Sequence, residues 1–172
     1  IRPIPGRMNI LRGLNGSTII DDTYNSSPAA AASAIQTFYG MDASQRIAIM
    51  GSMNELGDVS QIEHEKIGKM FNVDMVDWVI TVGEDAGKYL APAAHSNGCQ
   101  VKSFQNAVQA GAFAHSVLQK DGLVLVKGSQ GNVYCEEAVK ILLLDQNDAT
   151  QLVRQSPAWL ATKEAYFAKN LV

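Results

Sequence analysis

Five short apolar runs recur along this chain: "STIID" 17–21, "RIAIM" 46–50, "WVITVG" 78–83, "QVKSF" 100–104 and "LVLVKG" 123–128. Each has the length and β-branched content of a buried strand, and stretches of helical periodicity lie between them. Helices are expected near 28–40, 60–72, 85–97, 105–119 and 132–144, each starting near a cap residue or proline and several ending close to glycine or asparagine. A strand–helix alternation sustained this long predicts a doubly wound, mostly parallel α/β sheet with helices on both faces, because each crossover returns the chain to the same strand direction. Ligands of such sheets meet the loops beyond the carboxyl ends of the strands. The informative segments are therefore "DDTYNSSP", "GSMNELGD", "GEDAG" and "KGSQGN".

With 172 residues and 47% hydrophobic content, the chain is long enough for one well-buried core and short for two. Residues 16–144 hold the alternating pattern. The segment 1–15 opens "IRPIPGRMNI", where Pro3 and Pro5 favour an extended connection, and it is expected to be a linker from a longer chain. Residues 145–172 are expected to be an extension in which Pro157 opens an extra C-terminal helix carrying Trp159, Leu160, Tyr166 and Phe167. Packing of those aromatics onto the domain is the simpler reading, and a dimer contact is the alternative.

A net charge of −3 and a pI near 5.6 supply no basic field, which argues against nucleic acid and anionic membranes as partners. Cys99 and Cys135 show no paired spacing, so they read as reduced thiols of a cytoplasmic protein. No apolar run approaches the roughly 20 residues that span a bilayer, and the N-terminus lacks a signal-peptide layout.

In "IIDDTYNSSP", Asp22 is expected at a strand's carboxyl end and Pro28 in the first turn of the next helix. A carboxylate there suits a ribose diol, Tyr24 suits packing on a base or sugar, and the Asn25 amide both donates to and accepts from an adenine edge. On composition alone, capping of the helix by Asp21 or Asp22, Ser26 and Ser27 accounts for the same residues. Glu55 and His64 are candidates for a polar pair near a substrate. His64–Glu65 lacks the second histidine of a zinc helix, since Gly68 stands there, and no metal site is expected in this chain. Lys127, Gly128 and Ser129 offer a cation, a closely approachable backbone and a hydroxyl, which suits an anionic ligand; a solvated strand end and a turn is the bland alternative. His95 and His115 read as structural or exposed. The chain has no phosphate loop, dinucleotide fingerprint or nucleophile elbow, so any triphosphate must be held elsewhere.

Taken in order, "PGRMNI", "IIDDTYNSSP", "IAIMGSMNELGDVSQIEH", "WVITVGE" and "VLVKGS" resemble the C-terminal domain of the Mur ligase family over residues 3–144. The resemblance is nearest to the branch that adds D-alanyl-D-alanine to UDP-N-acetylmuramoyl-tripeptide in peptidoglycan synthesis. It implies ATP-dependent amide formation through an acyl phosphate. The UDP-sugar, the phosphate loop and Mg2+ would be held by N-terminal and central domains, and this domain would close over ATP and inactive on its own. It further implies that Arg7 approaches the nucleotide phosphates, that Asp22 engages the ribose with Tyr24 and Asn25 in the same ATP loop, and that Lys127 and Ser129 lie around the amino-substrate pocket.

Two departures stand against the family pattern. Gln130, Gly131 and Asn132 follow Lys-Gly-Ser where the family often has arginine, which leaves the amino substrate open. The tail has no placed counterpart. The alternatives are another Mur-type amide ligase or a folylpolyglutamate synthase, which usually carry a histidine where Asn25 stands, and a non-catalytic nucleotide-binding module of the same fold.

Overall fold

The computed structural model describes residues 4–170, so Pro3 of the expected linker and the last two residues of the expected tail helix lie outside the described residues. Six strands form one sheet: β1 Asn9–Arg12, β2 Thr18–Asp22, β3 Arg46–Gly51, β4 Trp78–Val82, β5 Val101–Phe104 and β6 Leu123–Lys127, in the order β1-β2-β6-β3-β4-β5. All neighbours are parallel except β1, which runs antiparallel to β2 along the edge.

That sixth strand corrects the expected count of five. Asn9 to Arg12 alternate between half-buried and exposed, and Ile10 is largely exposed. A four-residue edge strand of this kind lacks the continuous apolar run by which the parallel strands were read.

Helices α1 Pro28–Gly40, α2 Ser60–Lys69 and α3 Ala91–Ser96 carry the successive crossovers from β2 to β5, and α4 Ala107–Val117 returns the chain to β6 between β2 and β3. The first three share one face of the sheet; α4 and α5 Glu136–Leu142 share the other. A wide helical turn, Ala86–Leu90, precedes α3, where Pro92 has no N–H to continue the regular ladder. The helix expected over 132–144 forms only over 136–142, because Asn132 and Tyr134 take positive φ in the loop before it.

Strand alternation divides the core. Ile19, Ile47, Ile49, Val124 and Val126 pack under α4 and α5, whereas Ile20, Ala48, Met50, Leu123 and Leu125 pack under α1 and α2. The tail forms a short helical turn, Gln146–Gln151, and then α6 Pro157–Asn170. The Tyr134 ring lies 5.1 Å from that of Tyr166 and 6.1 Å from that of Phe167, so the expected packing of tail aromatics onto the domain is found at these two residues. Among the described residues no helix is long and apolar enough to cross a membrane.

Candidate functional site

The alternation that sorts the core also sorts the two aspartates of β2. Ile19 faces α5 and Ile20 faces α1, so Asp21 continues the α5 side and Asp22 the α1 side. On β6, Val126 faces α5, which sends Lys127 to the α1 side, and Asp22 and Lys127 are register partners. Their charged groups meet at 2.6 Å with Lys127 only 1% exposed. The Lys127 ammonium also donates to the Asn25 carbonyl at 2.9 Å, and the Met8 N–H donates to the other Asp22 oxygen at 3.2 Å. Each carboxylate oxygen accepts more than one hydrogen bond, so Asp22 retains acceptor capacity.

Of the capping candidates, Ser27 caps the helix. The Ser27 hydroxyl accepts from the Ala30 N–H at 3.3 Å, with Pro28 in the first turn. Asp21 is fully buried, and one of its oxygens accepts from the Thr23 hydroxyl at 2.6 Å and the Thr23 N–H at 3.3 Å. The second oxygen has no partner among the described residues. Burial pushes the Asp21 carboxyl above its ordinary value, against the Thr23 hydrogen bonds that lower it.

Arg7, Asp22, Tyr24, Asn25 and Lys127 line one cavity of about 150 Å³, with Ser27 and Ala30 closing it. The Arg7 guanidinium lies 4.3 Å from the centre of the Tyr24 ring, so a cation and a half-exposed aromatic share the mouth. The four residues assigned to the nucleotide from sequence thus converge on one place, and Lys127 joins them.

A second cavity, of about 420 Å³, lies on the other side of Asn25, which lines both. Its remaining lining is Asn54, Glu55, Ser129, Gln130, Gly131 and Trp159. Glu55, at φ 66°, is exposed on the tip of the 51–57 loop. The Ser129 hydroxyl accepts from the Asn54 N–H at 2.8 Å and donates to the Ser26 carbonyl at 3.4 Å, while the Asn54 amide donates to the Gly131 carbonyl at 2.7 Å. Three loops are thereby stitched together beneath the cavity floor. Gly128 lets the end of β6 pass close to the start of α5, since a Cβ there would stand 2.6 Å from the Cys135 sulfur. Burial raises the Cys135 thiol far above its ordinary value.

Of the residues the resemblance sets around the amino substrate, Lys127 pairs with Asp22 and lines the smaller cavity, whereas Ser129 lines the larger one. One expectation is corrected by these contacts. His64 was paired with Glu55 near a substrate, but it is fully buried. The His64 Nε2 accepts from the Met53 N–H at 2.9 Å, and its Nδ1 lies 2.8 Å from the Ser60 carbonyl, which assigns the proton to Nδ1. Both nitrogens are engaged with backbone, so the ring braces the loop that carries Glu55.

The tail contributes more than the sequence suggested. Trp159, expected to pack onto the domain or to make a dimer contact, walls the larger cavity. Arg154 forms two bonds to Glu136, from Nε at 2.8 Å and Nη2 at 2.7 Å, and Lys163 reaches both Glu136 and Glu137. Burial works against the Arg154 charge, yet the hydrogen bonds to Glu136 and its charge prevail and raise its pKa. A lone arginine 18 residues from its partner gives no periodic signal by which such pairing is read.

The family model described as Mur ligase, glutamate ligase domain, matches residues 6–130. The chain is 30% identical over 145 residues to the UDP-N-acetylmuramoyl-tripeptide–D-alanyl-D-alanine ligase of Bacillus subtilis, a match that takes in 80% of this chain and 30% of that protein. It is similar in fold to the MurF ligase of Thermotoga maritima, solved in complex with ADP, with a TM-score of 0.66, 24% identity, and 82% of this chain and 31% of that one covered. A MurF structure from Acinetobacter baumannii gives a TM-score of 0.64 at 27% identity, covering 80% of this chain and 30% of that one. The chain thus spans about a third of the length of the relatives it matches.

Proposed function

Since the chain belongs to the Mur ligase family, we propose that it is the closing domain of an ATP-dependent ligase that joins D-alanyl-D-alanine to UDP-N-acetylmuramoyl-tripeptide in the cytoplasm. The observation that carries this reading is the convergence of Arg7, Asp22, Tyr24 and Asn25 on one cavity at the carboxyl end of β2. The relatives' shared name supplies the amine and the acceptor peptide, and the ADP complex of the Thermotoga relative supports the nucleotide.

In this reading Asp22 accepts the ribose hydroxyls, held at a fixed angle by Lys127. Tyr24 packs against the base or sugar, Asn25 reads the base edge, and Arg7 leaves the Tyr24 face to neutralise charge developing on the phosphates. A cavity of about 150 Å³ is half or less of an ordinary small-molecule site of roughly 300 Å³ and upward. The triphosphate therefore needs the central domain, and the two halves of the nucleotide site meet on closure. The ATP γ-phosphoryl group is transferred to the peptide carboxylate, and the amine attacks the acyl phosphate with loss of phosphate.

Asp22, the carboxylate of the smaller cavity, is already paired with Lys127. We therefore assign the Mg2+ ligands to the central domain. The larger cavity is our candidate for the incoming amine. Its one charged lining residue is Glu55, suited to the ammonium end, while Asn54 and Gln130 are left to meet the carboxylate with neutral donors.

The test is ATP-dependent phosphate release by the full-length protein carrying this domain, given UDP-N-acetylmuramoyl-tripeptide and a panel of amines. Release that requires D-alanyl-D-alanine supports the proposal. Release with a different amine moves the substrate and keeps the mechanism, and no release with any amine overturns it.

A further inference from the structure

The tail crosses the domain at one point that bears directly on the nucleotide loop. Leu152 and Val153 are buried, and a Cβ on Gly6 would stand 2.7 Å from the Val153 side chain and 2.8 Å from the Tyr24 nitrogen. Gly6 is also the residue whose carbonyl accepts the Tyr24 N–H at 2.9 Å, so the linker, the loop and the tail meet in one layer.

Arg154 closes that layer. Beyond its two bonds to Glu136, its Nη2 donates to the Thr23 carbonyl at 2.6 Å and its Nη1 lies 3.3 Å from the Tyr24 carbonyl. The planar guanidinium thus links a carboxylate on α5 to two successive carbonyls between Asp22 and Asn25. Glu136 is fully buried beside the buried Asp21, and its salt-bridge partners Arg154 and Lys163 both come from the tail. Undocking the tail would strip the buried Glu136 of both counter-charges, so the tail is held in place by a charge requirement.

We infer that Arg154 is a positioning residue for the nucleotide: it fixes the Thr23–Tyr24 backbone and through it the orientation of Asp22, Tyr24 and Asn25. Arg154 touches no substrate in this scheme. Its effect on ATP rests on the function proposed above, whereas its hold on the loop does not.

The experiment uses the full-length protein and two variants chosen to stay folded. Arg154→Lys keeps a cation near Glu136 but cannot span both carbonyls. Arg154→Met with Glu136→Gln removes the donors and the buried charge together, which avoids leaving Glu136 unpaired. Amide hydrogen exchange across residues 22–27 is read first, then the KM for ATP and for the amine. In both variants the Tyr24 amide is expected to exchange about tenfold faster while β3 amides are unchanged. The KM for ATP is expected to rise about tenfold with the KM for the amine within about twofold.

Unchanged exchange across 22–27 in a folded variant overturns the inference. So does an unchanged KM for ATP in an active one. A wild-type protein that turns over no ATP with any amine sinks the ligase reading and leaves the exchange result to decide this one.

Discussion

Asp22 and Lys127 stand opposite one another on adjacent parallel strands, 105 residues apart in the chain, with carboxylate and ammonium 2.6 Å apart. Lys127 is 1% exposed, so the pair both anchors the loop that follows β2 and holds a buried charge that neither partner carries alone.

Replacing Asp22 should therefore do two things at once. Asp22→Asn in the full-length protein is expected to raise the KM for ATP about tenfold, and to lower stability by about 3 kcal/mol as Lys127 loses its counter-charge. Adding Lys127→Met should restore most of the stability and none of the ATP affinity. Recovery of both would reduce Asp22 to a structural partner. Denaturant unfolding alongside ATP kinetics separates these outcomes.

Asp21 carries a pH dependence of defined sign. Its carboxyl is raised above 3.8 in the folded chain by burial. The folded state thus binds the proton more tightly than the unfolded one, and the contribution of Asp21 to stability is fully present below the unfolded value and lost as pH rises through the folded one. Asp21→Asn keeps the oxygen that accepts from Thr23 and removes the charge. The stability of this variant relative to wild type should improve as pH rises across that window, as measured by denaturant midpoints at several pH values. A difference independent of pH would remove the titration argument.

Gly128→Ala should cost about 1–3 kcal/mol by overpacking, since its Cβ would meet the Cys135 sulfur at 2.6 Å. Cys135→Ala opens that space, and the double variant is expected to be more stable than the two separate costs predict, a coupling that a double-mutant cycle reads. Strictly additive costs would show that the contact is not the cause.

His64→Ala removes the acceptor for the Met53 N–H and the donor for the Ser60 carbonyl. A loss of about 2–4 kcal/mol is expected from the cavity and the two stranded groups. The effect on kinetics should fall on the amine, because the loop it braces carries Glu55. A His64 variant with normal stability and no turnover would instead argue for direct contact with substrate.

Trp159→Ala opens the wall of the larger cavity. The KM for the amine should rise several-fold with the KM for ATP unchanged, which places the tail helix beside the amine. A rise in the KM for ATP alone would reverse the assignment of the two cavities.

The sequence by itself determined the parallel sheet, the sites of its crossovers and the polar loop after β2, because buried strands and helix starts write themselves as local patterns: "RIAIM" and "LVLVKG" read as strand candidates and form β3 and β6. The family resemblance added the proposed roles of Arg7 and Asp22. Tertiary structure decided what local pattern cannot carry. Strand register turned Lys127 toward Asp22, burial engaged both nitrogens of His64, and the return of the tail set Arg154 against two carbonyls about 130 residues away in the chain. Periodicity records which face a residue takes; which distant residue waits on that face depends on how the strands are ordered, and that order is a property of the folded chain.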